Sequence, residues 1–402
     1  MTGKQAIPPS ITGLEGARTG SVLDHAFGSG EPYTLGVEEE YQLLDGETFD
    51  LVQHIDTILA AVSGHELEKQ INAELMQSVL EIATPVCRTA GDTMSSLTQL
   101  RAYVTEVARE KGLRVGSAGT HPFSLFERQR ITATDRYRAL IDQLQYVARR
   151  ELIFGMHVHV AVDDPEKAIQ VVNGLLPQLA PLLALSASSP FWRGEATGLA
   201  SSRQMVFSAF PRSGPPPRFR DYADYADVVG RLESSGCIAD YTHIWWDIRL
   251  HPRFGTVEIR VCDAVTRIQD AVAIAAYCQA LVKQLCERYD AGEQIPSHHR
   301  ILTSENKWLT ARYGLEAPVM DLVTGRRNRI PVARLIRWTV DDLMPHAREL
   351  GSERELEGVL EILSRGNSAD RQLRVFNANR DITEVAREIA EATEVVPAAA
   401  GA

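Results

Sequence analysis

GVEEEYQLLD, Gly36 to Asp45, combines the apolar residues of a sheet core with carboxylates that a core rejects. Val37, Tyr41, Leu43 and Leu44 suit a buried strand. Successive side chains on a strand alternate faces, so Glu38 and Glu40 share one face and Glu39 takes the other. Carboxylates held side by side repel unless a cation lies between them or one of them keeps a proton. Two readings of this stretch stand at this point. One is an edge strand with a solvated acidic face; the other is a strand that presents Glu38 and Glu40 to a ligand.

The surrounding composition narrows the function classes. The chain has 402 residues, 44% hydrophobic and 24% charged, which is the profile of a soluble globular protein. A net charge of −11 argues against nucleic acid as the main partner, because backbone binding needs a basic footprint. The 5 cysteines are scattered and form no CxxC pair, which fits a reducing cytoplasm and disfavours a thiolate zinc site. The N-terminal MTGKQAIPPSITG has no apolar signal-like core, and no run approaches the roughly 20 apolar residues of a membrane span. A cytoplasmic protein without a membrane partner is expected.

Going outward from the acidic strand, residues 1–30 are rich in Gly, Ser, Thr and Pro and are expected to be a flexible lead-in. Residues 31–395 show no internal repeat or linker and are expected to form a single domain, with 396–402 a frayed tail. Leu51 to Val62 and Thr89 to Lys111 have helical apolar spacing, and Val79 to Thr84 before Pro85 has the pattern of a short strand carrying Glu81. Leu113 to Ala118 is a strand, and Asp135 to Arg150 a polar helix. Leu152 to Val162, LIFGMHVHVAV, is an apolar strand with His157 and His159 on one face. Asp164-Pro165 starts a helix that runs toward Ser186. Pro211 to Arg220, with three successive prolines, is a stiff connection and a candidate lid. WWDIRL, HPRFG and TVEIRV predict strand, turn and strand, with Asp247, Arg249, Glu258 and Arg260 as a polar patch. After Asp263 the chain is mostly helical.

Several strands thus carry acids or imidazoles where a core wants apolar groups: Glu38 and Glu40, Glu81, His157 and His159, and Glu258, with Glu74 nearby. If these faces converge, they form an oxygen-rich nest suited to hard divalent cations such as Mg²⁺ bridging phosphates. Arg203, Arg249, Arg260, Lys307 and Arg312 are available to hold anions beside it. That combination points to phosphoryl transfer from a nucleotide, held without a glycine cradle, since neither GxxxxGK[ST] nor a GxGxxG after a strand occurs. The competing readings are a zinc hydrolase using His157 and His159, and a binding protein that has lost catalysis.

GVEEEYQLLD, NAELMQSVLEIATPV, SAGTHPF, FGMHVHVAV, SSPFWRGEATGLASSR, WWDIRLHP with GTVEIRVCD, and ENKWLTARYGL, in this order, resemble the type 2 glutamate–cysteine ligase family, also described as carboxylate–amine ligases. The resemblance runs from about Tyr33 to about Arg374. It implies an α+β fold like the catalytic domain of glutamine synthetase, a curved, mainly antiparallel sheet forming a funnel backed by helices. It implies ATP-dependent amide formation through an acyl phosphate, with ATP and Mg²⁺ as cofactors. The substrates implied are a carboxylic acid and an amine, glutamate and cysteine or analogues, in a homodimer. By the same resemblance, Glu38, Glu40, Glu74, Glu81, His157 and Glu258 correspond to metal ligands, and Arg260 to a phosphate contact. Arg203 and Arg249 are the further catalytic cations expected, and Lys307 and Arg312 join Arg260 as candidates for nucleotide binding. His159 falls at a variable position, and Glu39 is expected to be structural.

Overall fold

The computed structural model of the chain describes residues 24–395 except Ser297, Arg326 and Arg327. The expected tail at 396–402 and most of the expected lead-in lie outside the described residues. Within the lead-in, Ala26 N–H donates to the Pro252 carbonyl at 2.9 Å and Phe27 is buried, so the packed chain begins before Glu31.

Seven strands form one antiparallel sheet: β1 Leu35–Asp45, β2 Ile71–Ala73, β3 Val79–Ala83, β4 Leu113–Gly116, β5 Met156–Ala161, β6 Ile248–His251 and β7 Thr256–Ile259. Their order is β6-β7-β5-β1-β3-β2, and β4 also pairs with β1. The acidic strand is therefore interior and not an edge. β1 pairs with β5 through Leu35–Glu39, with β3 through Glu38–Gln42 and with β4 through Gln42–Asp45.

Burial along β1 follows the strand period. Leu35, Val37, Glu39, Tyr41 and Leu43 are buried, whereas Gly36, Glu38 and Glu40 are half-buried. The apolar side packs on a helical layer in one core that joins Val37, Tyr41, Val158, Val160 and Ile259 to the helix Ile268–Asp290. That helix is apolar nearly all round because other helices surround it, including Ala90–Glu110, Pro165–Leu175 and Glu353–Arg365. Each large aliphatic side chain buried there contributes about 1.5–3 kcal/mol. The opposite face of the sheet is left to the acids and imidazoles. This is an α+β architecture, as expected.

Local signals place the helix starts. Thr89 accepts from Asp92 N–H at 3.0 Å and the Asp92 side chain returns the bond, a capping box. Asp164 caps the helix Pro165–Leu175, with Pro165 in its first turn. Some boundaries move for tertiary reasons. The helix expected from Leu51 begins at Ile55, because Leu51 bridges to Leu44 on β1. The polar helix expected over 135–150 breaks at Gln145, whose φ is 50°, into Asp135–Leu144 and Tyr146–Arg149. Pro165–Ser186 is long and apolar enough to cross a membrane, contrary to expectation, but 83% of its apolar window is buried inside the molecule.

Candidate active site

Strand register brings the scattered acids together on the open face. Glu40 on β1 lies directly opposite Glu81 on β3, and Glu74 follows β2. Ligand atoms of Glu40, Glu74 and Glu81 lie within 4.8 Å of one another. Glu40 accepts from Gly155 N–H at 2.5 Å, and Glu74 accepts from Leu75 N–H at 2.8 Å. Burial, then the neighbouring Glu74, pushes the Glu40 carboxyl up to about 7. Burial and the three surrounding glutamates raise Glu81 well above the usual carboxylate range. Such a set cannot be fully ionised unless a cation neutralises it.

A second group forms beside it. Glu38, His159 and Glu258 have ligand atoms within 4.8 Å of one another. Glu38 is opposite His157 across β1 and β5, and Glu258 is opposite His159 across β5 and β7. Glu38 Oε2 meets His157 Nδ1 at 3.1 Å. Its Oε1 lies 3.4 Å from His159 Nε2, which makes no hydrogen bond among the described residues. The other His159 nitrogen is fixed by Thr256 Oγ1 at 3.0 Å, which aims Nε2 at the two carboxylates. A second partner that orients an imidazole in this way is typical of metal-binding histidines.

Arginines secure this second group. Arg249 holds Glu258 in a two-point contact, Nε to Oε2 at 2.7 Å and Nη2 to Oε1 at 3.0 Å, and Arg260 binds the same carboxylate. Burial pushes Glu258 up, but Arg249 and Arg260 outweigh it and hold the group well below the usual range. Burial also raises Glu38, and the two histidines pull it below the usual range. Burial and Arg260 lower His157 to about 4, whereas Glu258 and Glu38 overcome burial and raise His159. His157 is thus a neutral support for Glu38, and His159 belongs with the carboxylates.

Glutamate-cysteine ligase family 2 is the description of the family model that matches residues 34–393. The chain belongs to this family. A relative in Rubrobacter xylanophilus, named "Putative glutamate--cysteine ligase 2-1", is 45% identical over 92% of this chain and 96% of its own length. One in Sorangium cellulosum, "Putative glutamate--cysteine ligase 2", is 41% identical over 89% and 96%. Two solved structures share the fold. A bifunctional glutathione synthetase from Pasteurella multocida has a TM-score of 0.67 at 16% identity, covering 90% of this chain and 52% of its own. A glutamate–cysteine ligase from Francisella tularensis has 0.65 at 13% identity, covering 92% and 90%.

In this family 2 chain one cavity on the open sheet face takes in most of the residues picked out from sequence. Beside the two acidic groups it is lined by His157, Arg203, Arg249 and Arg260. Arg203 reaches it across Gly155, where a Cβ would collide with the guanidinium. Its Nη1 lies 3.9 Å from Asp263 Oδ1, and Asp263 is itself fixed by the Ser189 hydroxyl at 2.7 Å, the Ser201 hydroxyl at 2.9 Å and Ser188 N–H at 3.1 Å.

Five expectations need correction. Lys307 does not reach the cavity lining; its ammonium is held between both Asp247 oxygens at 2.6 and 2.7 Å. The same contact removes Asp247 from the expected polar patch. Arg312 is also elsewhere, bonded to the Gly198 carbonyl and lying 4.8 Å over the Tyr313 ring. Pro211–Arg220 does not line the cavity as a lid. Ser213 and Gly214 pair with Trp245 and Trp246, and Pro215 and Pro216 are buried. The zinc-hydrolase reading fails on the ligase family and on the separate roles of His157 and His159.

Sequence reasoning missed Glu151, Arg136 and Tyr137, all of which line the cavity, and the aromatic wall of Phe207, Phe210 and Trp245. Glu151 carried a faint signal, an acid placed between a polar helix and the apolar run LIFGMHVHVAV.

Proposed function

We propose that this family 2 chain is an ATP-dependent carboxylate–amine ligase that forms an amide through an acyl phosphate. Glutamate and cysteine, giving γ-glutamylcysteine, ADP and phosphate, are one substrate pair, turned over weakly. The observation that carries this reading is the pair of three-residue ligand groups side by side on one sheet face, bridged by Glu38 and Glu40 two residues apart on β1. The donor set is oxygen-rich with a single imidazole in one group, which fits Mg²⁺ better than a soft metal. Arg203 and Arg260 each keep a buried Nε with no hydrogen-bond partner among the described residues, and so have capacity for an anion.

Magnesium-bound ATP supplies the phosphoryl group and the charge neutralisation that the reaction needs. Glu40, Glu74 and Glu81 hold one cation position, and Glu38, His159 and Glu258 the other. Arg260 and Arg203 take phosphate oxygens, and Arg249 keeps Glu258 ionised and correctly turned. His157 orients Glu38. A carboxylate is a poor acyl donor, so the protein's contribution is alignment and electrostatic stabilisation, with no covalent enzyme nucleophile. The fold neighbour from Francisella tularensis was solved with AMP, in keeping with a nucleotide in this fold. Residues 31–395 act as one catalytic unit, as a homodimer in the cytoplasm.

The test is release of ADP and phosphate from ATP and Mg²⁺ with glutamate and a panel of amines. The reading requires acid- and amine-dependent release that Glu258→Gln abolishes. If no acid–amine pair raises ADP above background, or Glu258→Gln behaves as wild type, the ligase reading is lost.

A further inference from the structure

Glu151 stands between the helix Tyr146–Arg149 and the bridge that Ile153 makes to Thr120, on the wall of the same cavity. Both of its carboxylate oxygens are closed off from solvent, and neither has a hydrogen-bond partner among the described residues. Burial pushes this carboxyl up to about 8, partly opposed by Arg203; Glu40 raises it further and Arg150 lowers it. A buried acceptor without a donor is unfavourable, and no structural bond here offsets it. On the same cavity wall, Arg203 Nε and Arg260 Nε are donors without acceptors. Together these groups complement a ligand pair with an anionic end and a cationic nitrogen. In a carboxylate–amine ligase the phosphorylated acid provides the first and the incoming amine the second.

We infer that Glu151, with its side chain turned into the cavity, receives the incoming amine: its carboxylate hydrogen-bonds the substrate ammonium and takes the first of its protons. The assignment rests on the ligase reading and deepens it. One N–H proton passes to a Glu151 oxygen, which frees the nitrogen lone pair. That pair forms the C–N bond at the acyl carbon. The C–O bond to phosphate breaks, and its electron pair leaves on the phosphate. The second N–H proton leaves on the departing phosphate, giving the neutral amide.

The experiment compares wild type with Glu151→Gln in two assays on the full chain. One follows amide formation with an alkyl amine that is protonated at neutral pH. The other traps the acyl phosphate with hydroxylamine, which is already unprotonated at that pH and needs no base. Glu151→Gln should lower amide formation on the order of 10²- to 10⁴-fold, the usual range for a general base. Hydroxamate formation should stay within about threefold of wild type, as expected when the lost step is proton transfer. The Tm should not fall, because Glu151 holds nothing in place. Amide formation near wild type overturns the assignment. So does a parallel loss of hydroxamate, which would move Glu151 to the phosphorylation half-reaction, and so does a large fall in Tm, which would make it structural. A wild-type protein that yields no hydroxamate with any acid overturns the ligase reading itself, and the role of Glu151 falls with it.

Discussion

Arg101 grips Glu39 at two points, Nε to Oε2 at 2.9 Å and Nη2 to Oε1 at 2.5 Å, with both side chains fully buried behind the sheet. The Tyr41 hydroxyl also bonds Glu39, and Arg101 ties the pair to the Thr266 and Val265 carbonyls at 2.8 and 3.2 Å. One of three consecutive glutamates is therefore a structural ion, whereas its two neighbours face the cavity. Removing one partner of such a pair costs about 3–5 kcal/mol. Glu39→Gln should lower the Tm markedly, yet keep most of the turnover per folded molecule at low temperature. Glu38→Gln and Glu40→Gln should abolish turnover, with a smaller fall in Tm for Glu38→Gln than for Glu39→Gln and little change for Glu40→Gln. Equal loss of turnover in all three would refute the alternation of faces.

The repulsion among Glu40, Glu74 and Glu81 predicts opposite effects on fold and function. The Glu81 carboxylate is held well above its usual range, first by burial and then by its acidic neighbours. Glu81→Gln should leave the metal-free protein as stable as wild type or more so, by about 1–2 kcal/mol. The rise in Tm that Mg²⁺ gives to wild type should disappear in the variant. Thermal unfolding with and without Mg²⁺ decides this; an undiminished Mg²⁺ response would remove Glu81 from the ligand set.

Gly155 lets the Arg203 guanidinium lie close to the backbone, beside His157. Gly155→Ala should displace that guanidinium. It should cut ligase turnover about 10²-fold, because a misplaced positioning group of this kind has that size of effect. Gly155 has no positive φ, so folding should be affected much less. Wild-type turnover in Gly155→Ala would show that the position of Arg203 is not critical.

His121 predicts an acid limit to stability away from the cavity. Burial lowers its imidazole from 6.5 to about 4, and the bond to the Phe49 carbonyl opposes this only in part. Nε2 donates to Phe49 O at 2.8 Å, and Nδ1 accepts from Ser124 N–H at 3.0 Å, so no site remains for a second proton. The unfolded chain binds that proton near pH 6.5 and the folded chain only near 4. The stabilisation is complete above about 6.5 and is lost as pH falls toward 4, roughly 3 kcal/mol in all. His121→Asn should lower stability at neutral pH by about 1 kcal/mol, the value of one bond. It should also flatten the fall between pH 6.5 and 4; an unchanged slope would clear His121 of responsibility for it.

The amino-acid sequence alone determined a good deal here. Alternation along β1 separated Glu39 from Glu38 and Glu40, and it placed His157 and His159 on one face of β5 and Glu258 on the return strand β7. These statements depend only on the two-residue period of an extended backbone, which is local covalent geometry. Helix starts at Thr89 and Asp164 were legible for the same reason, since a cap is made within a few residues of itself. The tertiary structure decided what register and packing control. His159, and not His157, joins Glu38 and Glu258, because the β5–β7 register puts it opposite Glu258 and Thr256 turns its ring. Lys307 was diverted to Asp247, and Glu151 was left without a partner in the cavity wall. Pairings between residues far apart in the chain depend on how strands and helices dock, and no local period encodes that choice.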